Sequence, residues 1–139
     1  LRELKADLFV VAAFGQIIPP DLQALPPYGC IGVHASLLPK LRGAAPVAAA
    51  ILQGHKETGV TLMLTDAGID TGPIIAQRRL AIAPIDTAET LSHKLSHLGA
   101  ELLIESLPAW LAGEIQAEPQ DDSHATYAPR IGRSDGLID

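Results

Sequence analysis

The sequence predicts an α/β fold, with helices packed on a sheet that is at least partly parallel. Three observations carry this expectation. Short apolar, β-branched runs alternate with helix-like stretches, one of those stretches repeats leucine at helical spacing, and clusters of Gly, Pro and Asp separate the runs. The 139 residues suffice for one domain with a real core. Ala, Leu and Ile must build it, since 47% of the residues are apolar and only 4% aromatic.

The opening "LRELKADLFVV" reads as the last turn of a helix running into a strand. Met63 is the lone methionine, so the chain is expected to be cut from something longer. "ADLFVVAAF" (6–14) is nearly continuous in apolar residues, which predicts a strand buried on both faces, and the prolines of "GQIIPP" end it. "GCIGVHA" (29–35) reads as a second strand, weakened by Gly32. "AAPVAAAILQGH" (44–55) predicts a helix with Pro46 in its first turn and Gly54 near its end. "GVTLMLTD" (59–66) is the third strand, and the partly alternating "GPIIAQRRLAI" (72–82) is a fourth, nearer an edge.

The clearest helix is expected from Asp86, where Asp86 and Glu89 have capping-box spacing. Leu91, Leu95, Leu98 and Leu102 then form one stripe, as burial against a sheet requires. Pro108 should kink or end that helix, leaving "PAWLAG" as a separate turn. From Glu114 the composition turns polar, and "SDGLID" reads as a linker.

Several function classes receive no support from composition. The net charge is −6 with no run of Lys or Arg, so this stretch carries no electrostatic footprint for DNA, other nucleic acid or an anionic membrane. The longest apolar run, "LFVVAAF" (8–14), is too short to cross a bilayer. Cys30 has no partner and no signal-peptide pattern is visible, which predicts a reducing, cytoplasmic setting. There is no Gly-rich phosphate loop and no G-x-S-x-G. His93 and His97 lie about 200° and 240° around the helix from Leu91, on a face expected to be solvated, so no metal site is predicted.

Two positions suggest chemistry. His34 stands where a strand should end, and in open α/β sheets ligands bind at the carboxyl ends of strands. The same position would also suit a histidine held only by backbone hydrogen bonds. "DAGIDTG" (66–72) has the composition of an ordinary turn, but an Asp70 beside His34 would be useful. A carboxylate next to an imidazole favours its action as a hydrogen-bond donor or acid.

"HASLLPKLRGAAP" followed by "ETGVTLMLTDAGIDTGPII", with "ADLFVVAAFGQIIP" before and "TYAPRI" after, resembles the folate-dependent formyltransferases almost end to end. Within them, "RGAAP" and the "TYAPRI…DG" tail are most similar to the branch acting on initiator methionyl-tRNA. The resemblance implies a Rossmann-like formyltransferase fold with a mostly parallel sheet and flanking helices. Residues 1–132 would be the second half of the catalytic domain, lacking its first strands and a basic loop used on tRNA. Residues 133–139 would begin a linker to a C-terminal barrel domain. The co-substrate implied is 10-formyltetrahydrofolate, with no metal.

The family's catalytic trio is Asn-x-His plus the Asp of D-T-G. His34 and Asp70 match it, but Gly32 stands at the Asn position. An amine attacking the formyl carbon builds negative charge on oxygen, which His34 and the family's Asn would stabilise. Asp70 would orient His34 and help move the released proton. Losing one such donor costs about 10²–10³ in rate. The resemblance assigns the folate to Phe14, Gly15, Gln16, Ile17 and Ile18, to the turn Ser36, Leu37, Leu38 and Pro39, and to Asp66 and Gly68. Arg42 would meet the acceptor. Two alternatives stay open: another amine, on a sugar nucleotide or glycinamide ribonucleotide, and a silent folate-binding homologue marked by Gly32.

Overall fold

Four apolar runs pair into one sheet in the structure, a computed structural model that describes residues 2–136. The strands are β1 (Phe9–Ala12), β2 (Cys30–His34), β3 (Glu57–Leu64) and β4 (Ile74–Ala81), in the order β1-β2-β3-β4. The helices are α1 (Pro20–Gln23), α2 (Pro46–Leu52) and α3 (Ala88–Leu111). Leu1 and residues 137–139 of the expected linker lie outside the described residues, and Arg133–Gly136 form a short 3-10 turn.

The α/β class stands, but the expected mostly parallel sheet needs correction. Only β1 and β2 run parallel, while β2 with β3 and β3 with β4 are antiparallel. Connection length explains the second reversal: a parallel return needs a dozen or more residues, and residues 65–73 are too few. Residues 35–56 are enough, yet α2 packs against α3 and the chain re-enters beside β2 in the opposite direction. β1 also differs from its expectation of burial on both faces. Among the described residues its exposure alternates along the strand, and Val10 is 46% exposed.

One face of the sheet forms the core. Ile31, Val60, Leu62 and Ile75 meet Leu91, Leu95 and Leu102 of α3, each apolar side chain contributing about 1.5–3 kcal/mol when fully buried. α3 comes close because Gly99 faces the strands, where a Cβ would sit 3.1 Å from Val33 Cγ1. By strand alternation Gly32, His34, Thr61 and Met63 belong to the opposite face, with Gly32 paired to Met63 and His34 to Thr61. That second face carries the candidate chemistry.

α3 starts one residue later than expected. Thr87 is its cap, exchanging bonds with Thr90 in a capping box, and Glu89 is not part of it. Asp86 instead accepts from the Ala83 amide, the Thr90 hydroxyl and Lys94. Pro108 does not end the helix. The carbonyl it leaves unpaired belongs to Ile104, itself 69% exposed, while Leu107 and Trp110 pack on the core and Trp110 donates to Tyr28 O.

The bond from Lys94, then those from Ala83 and Thr90, hold the Asp86 carboxyl below the usual carboxylate range, outweighing burial. A depressed carboxyl favours the fold above the unfolded-state titration near about 3.9, and that advantage is lost as pH falls through the native value. Asp86→Asn is therefore expected to lower Tm at neutral pH, with the gap to the parent closing in acid. A gap in thermal melts that does not change with pH would contradict this role.

Candidate active site

His34 closes β2 and is 8% exposed. Its Nε2 lies 2.9 Å from the Leu41 carbonyl oxygen, which can only accept, so Nε2 is the donor. Its Nδ1 lies 3.5 Å from Asp70 Oδ2. Both ring nitrogens thus face acceptor oxygens, and only the doubly protonated ring can donate towards both. Nε2 is committed to the backbone. Nδ1, at the longer distance, is the nitrogen left for other chemistry. Asp70 Oδ2 also accepts the Gly43 amide at 2.8 Å.

Both acceptors sit on unusual backbone. Leu41 has φ +57° and Asp70 φ +54°, conformations that cost about 1–3 kcal/mol at a non-glycine residue and persist only when surroundings hold them. The surroundings come from the polar tail after α3. Leu41 N–H donates to Thr126 Oγ1 at 2.8 Å, Arg42 N–H to Thr126 O at 2.9 Å, and Ala128 N–H to Arg42 O at 2.7 Å. On the other side, Asp66 Oδ1 accepts from Gly68 N–H and Thr71 Oγ1, tying the loop into a turn. Gly72 seats that loop against β3, where a Cβ would lie 1.7 Å from Leu64 O. Gln120 completes it by donating from Nε2 to Asp70 O at 2.9 Å and Gly72 O at 2.7 Å.

Arg42 is 2% exposed, and its guanidinium donates to Gln120 Oε1 and Asp122 Oδ1. Burial opposes its charge, but bonds to Asp122 and Tyr127 outweigh it and leave the group above its ordinary range. The residue assigned to the acceptor is thus engaged with the protein's own tail.

The residues assigned to folate fall into two places. Phe14, Gly15, Gln16 and Ile17 are exposed, with Ile18 half-buried. Gln23 of α1 donates to Ile18 O at 2.7 Å and Asp66 O at 2.9 Å, stitching this segment to the loop of Asp66 and Gly68. Ser36, Leu37, Leu38 and Pro39 line a separate open cavity of about 710 Å³ with His55, Lys56 and Arg79, whose walls include none of residues 14–18. Their turn is held from beneath: Thr61 Oγ1 donates to Ser36 O and accepts from Leu38 N–H, and Gln77 donates to Leu38 O.

At Gly32 an added Cβ would lie 3.2 Å from Met63 Cε and 3.5 Å from Thr65 Cγ2, so side-chain ends rather than backbone bound the space. Sequence reasoning missed Gln23, Thr61, Gln120 and Thr126. For Gln23 a signal existed, since "PPDLQ" has Pro at a helix start and Asp in the first turn. Nothing local marks Gln120. His93 and His97 are exposed on α3. Among the described residues no group of three or more His, Cys, Asp or Glu could hold a metal ion, and no helix is long and apolar enough to cross a membrane.

Known proteins resemble this chain in sequence and in fold. The family model described as formyl transferase matches residues 1–107. A methionyl-tRNA formyltransferase of Thermosynechococcus vestitus is 54% identical over 139 residues, all of this chain and 41% of the relative. Another of that name from Dictyoglomus turgidum is 51% identical over the whole chain and 44% of its own length. The chain thus spans less than half the length of these curated relatives. Among solved structures, the formyltransferase PseJ from Anoxybacillus kamchatkensis superposes with TM-score 0.79 at 31% identity, over 88% of this chain and 64% of that one. It was solved with UDP-4,6-dideoxy-4-formamido-L-AltNAc and tetrahydrofolate.

The fit of Gly72 yields a stability prediction. Gly72→Ala is expected to destabilise by about 2 kcal/mol or more, whereas Gly15→Ala, with nothing within 4 Å of its Cβ, should change stability by no more than about 0.5 kcal/mol. Equal denaturant midpoints for the two variants would show slack in the Asp70 loop that the geometry denies.

Proposed function

The chain belongs to the formyl transferase family, and on that premise we propose that it carries the catalytic apparatus of a methionyl-tRNA formyltransferase. The reaction is transfer of a formyl group from 10-formyltetrahydrofolate to the amino group of initiator methionyl-tRNA, in the cytoplasm. The observation that carries this reading is the convergence of a fixed imidazole and a carboxylate, Nδ1 to Oδ2 at 3.5 Å, at the end of a central strand. The acceptor is favoured by full-chain identity of 54% to a relative of that name, against 31% to the sugar-nucleotide complex.

The folate supplies the formyl group. Exposed Phe14 and Ile17 offer apolar surface for a flat ring system, on a segment that Gln23 joins to the Asp66 loop. In this reading the Leu41 carbonyl holds the His34 ring, so that Nδ1–H donates to the formyl oxygen as negative charge develops there. The acceptor nitrogen bonds to the formyl carbon and gives up a proton to Asp70. The carbon's bond to N10 of the folate then breaks, and N10 takes that proton back as tetrahydrofolate leaves. The Gly43 amide keeps the Asp70 carboxylate turned inward meanwhile. Arg42 acts on the acceptor indirectly, by fixing the loop through which its own backbone passes.

In the intact protein, His34→Ala and Asp70→Asn should each lower turnover by about 10²–10⁴ while tetrahydrofolate affinity stays within about threefold. Turnover retained in either variant removes that residue from the mechanism. Gly32→Asn should raise kcat/KM by about tenfold or more, because it adds a preorganised donor on the face of His34. An unchanged kcat/KM would show that the site does not need that donor.

A further inference from the structure

We infer that Gln120 is a positioning residue for the His34–Asp70 pair, so this inference rests on the catalytic reading above. Its carboxamide uses both ends. Nε2 donates to Asp70 O at 2.9 Å and Gly72 O at 2.7 Å, and Oε1 accepts from Arg42 Nε at 3.1 Å and Nη2 at 2.8 Å. One side chain therefore bridges two loops. The first, 70–72, bears the carboxylate. The second, 42–43, supplies the Gly43 amide that Asp70 Oδ2 accepts. The separation of these loops decides where Oδ2 stands relative to His34 Nδ1.

The bond pattern separates this role from a general structural one. The tail has other anchors, in the bridges Ile74–Glu118 and Arg42–Tyr127, the Leu41–Thr126 bond, and Ala128, which is fully buried. Arg42 keeps its bond to Asp122 without Gln120. The Asp70 carbonyl, by contrast, belongs to a residue at φ +54° whose conformation needs outside support. Removing the amide donor frees the Asp70 loop while leaving the tail attached. Gln120→Glu is the informative change: it keeps an oxygen for Arg42 and turns a second oxygen, with no proton to give, towards Asp70 O and Gly72 O.

The test is made in the intact protein with Gln120→Glu and with Gln120→Met, which keeps the length but forms no such bonds. Formyl transfer should show kcat lower by about 30- to 100-fold, as expected for a small misplacement of a reacting group. KM for the folate should stay within about threefold and the melting curve should remain cooperative. The ¹⁵N resonances of the His34 ring, assigned by their loss in His34→Ala, should shift in both variants. A kcat within about threefold of the parent, unmoved ring resonances, or loss of the fold in both variants would each overturn the inference. If the parent protein transfers no formyl group, the catalytic reading fails by itself, and the ring resonances alone decide whether Gln120 positions the pair.

Discussion

A histidine ring held between two acceptors is the constraint on which the rest of this site depends. A neutral imidazole has one proton to give, and the ring of His34 faces the Leu41 carbonyl at one nitrogen and the Asp70 carboxylate at the other. Neither acceptor occupies relaxed backbone, since Leu41 and Asp70 both have positive φ. Strain on both sides of a single side chain is a common mark of a site whose geometry matters more than its local stability. What holds the strain is a polar tail, through Thr126 on the Leu41 side and Gln120 on the Asp70 side.

The fold divides the labour between faces of one sheet. The face under α3 is apolar and tight, with Gly99 admitting the helix close to Val33. That packing fixes β2 and β3, and strand alternation then presents Gly32, His34, Thr61 and Met63 on the other side. Thr61 shows the coupling: paired with His34 across the ladder, it also accepts from Leu38 and donates to Ser36, so the turn after His34 rests on the neighbouring strand. The chemistry-bearing residues are local, but their positions are set by long-range contacts.

This division explains what the sequence made legible. The strands, the Leu91–Leu102 stripe and the edge position of β4 follow from periodicity, which reports burial. His34 stood out because a polar residue at the end of an apolar run is conspicuous, and Asp70 because of its Gly-rich loop. Strand direction was not legible, because alternation with helices does not say which way α2 returns the chain. β1 looked buried because apolar content alone does not say whether both faces of a strand are covered, and among the described residues its exposure alternates. The cap at Thr87 was obscured by Asp86, whose carboxylate works one residue earlier, on Ala83 and Lys94. Gln120 and Thr126 were given no role for a different reason. They act on residues 50 and 85 positions away, from within the polar stretch that follows Glu114.

Gly32 raises the question of a silent homologue, and magnitudes order the two readings. Losing one of two donors to a developing oxyanion costs about 10²–10³ in rate. Holding reactants in attack geometry can contribute about 7–11 kcal/mol, which is several powers of ten more. A glycine at the donor position would therefore leave most of the catalytic effect with whatever fixes the reactants, which in the proposed reading are residues 14–18 and the clamped Asp70 loop. A silent protein would have no need to keep Leu41 and Asp70 strained against a single imidazole, because relaxing both loops would gain stability at no functional loss. The strain is retained at both residues whose oxygens face the His34 ring. On energetic grounds the proposed function calls for a slowed transferase rather than an abandoned one.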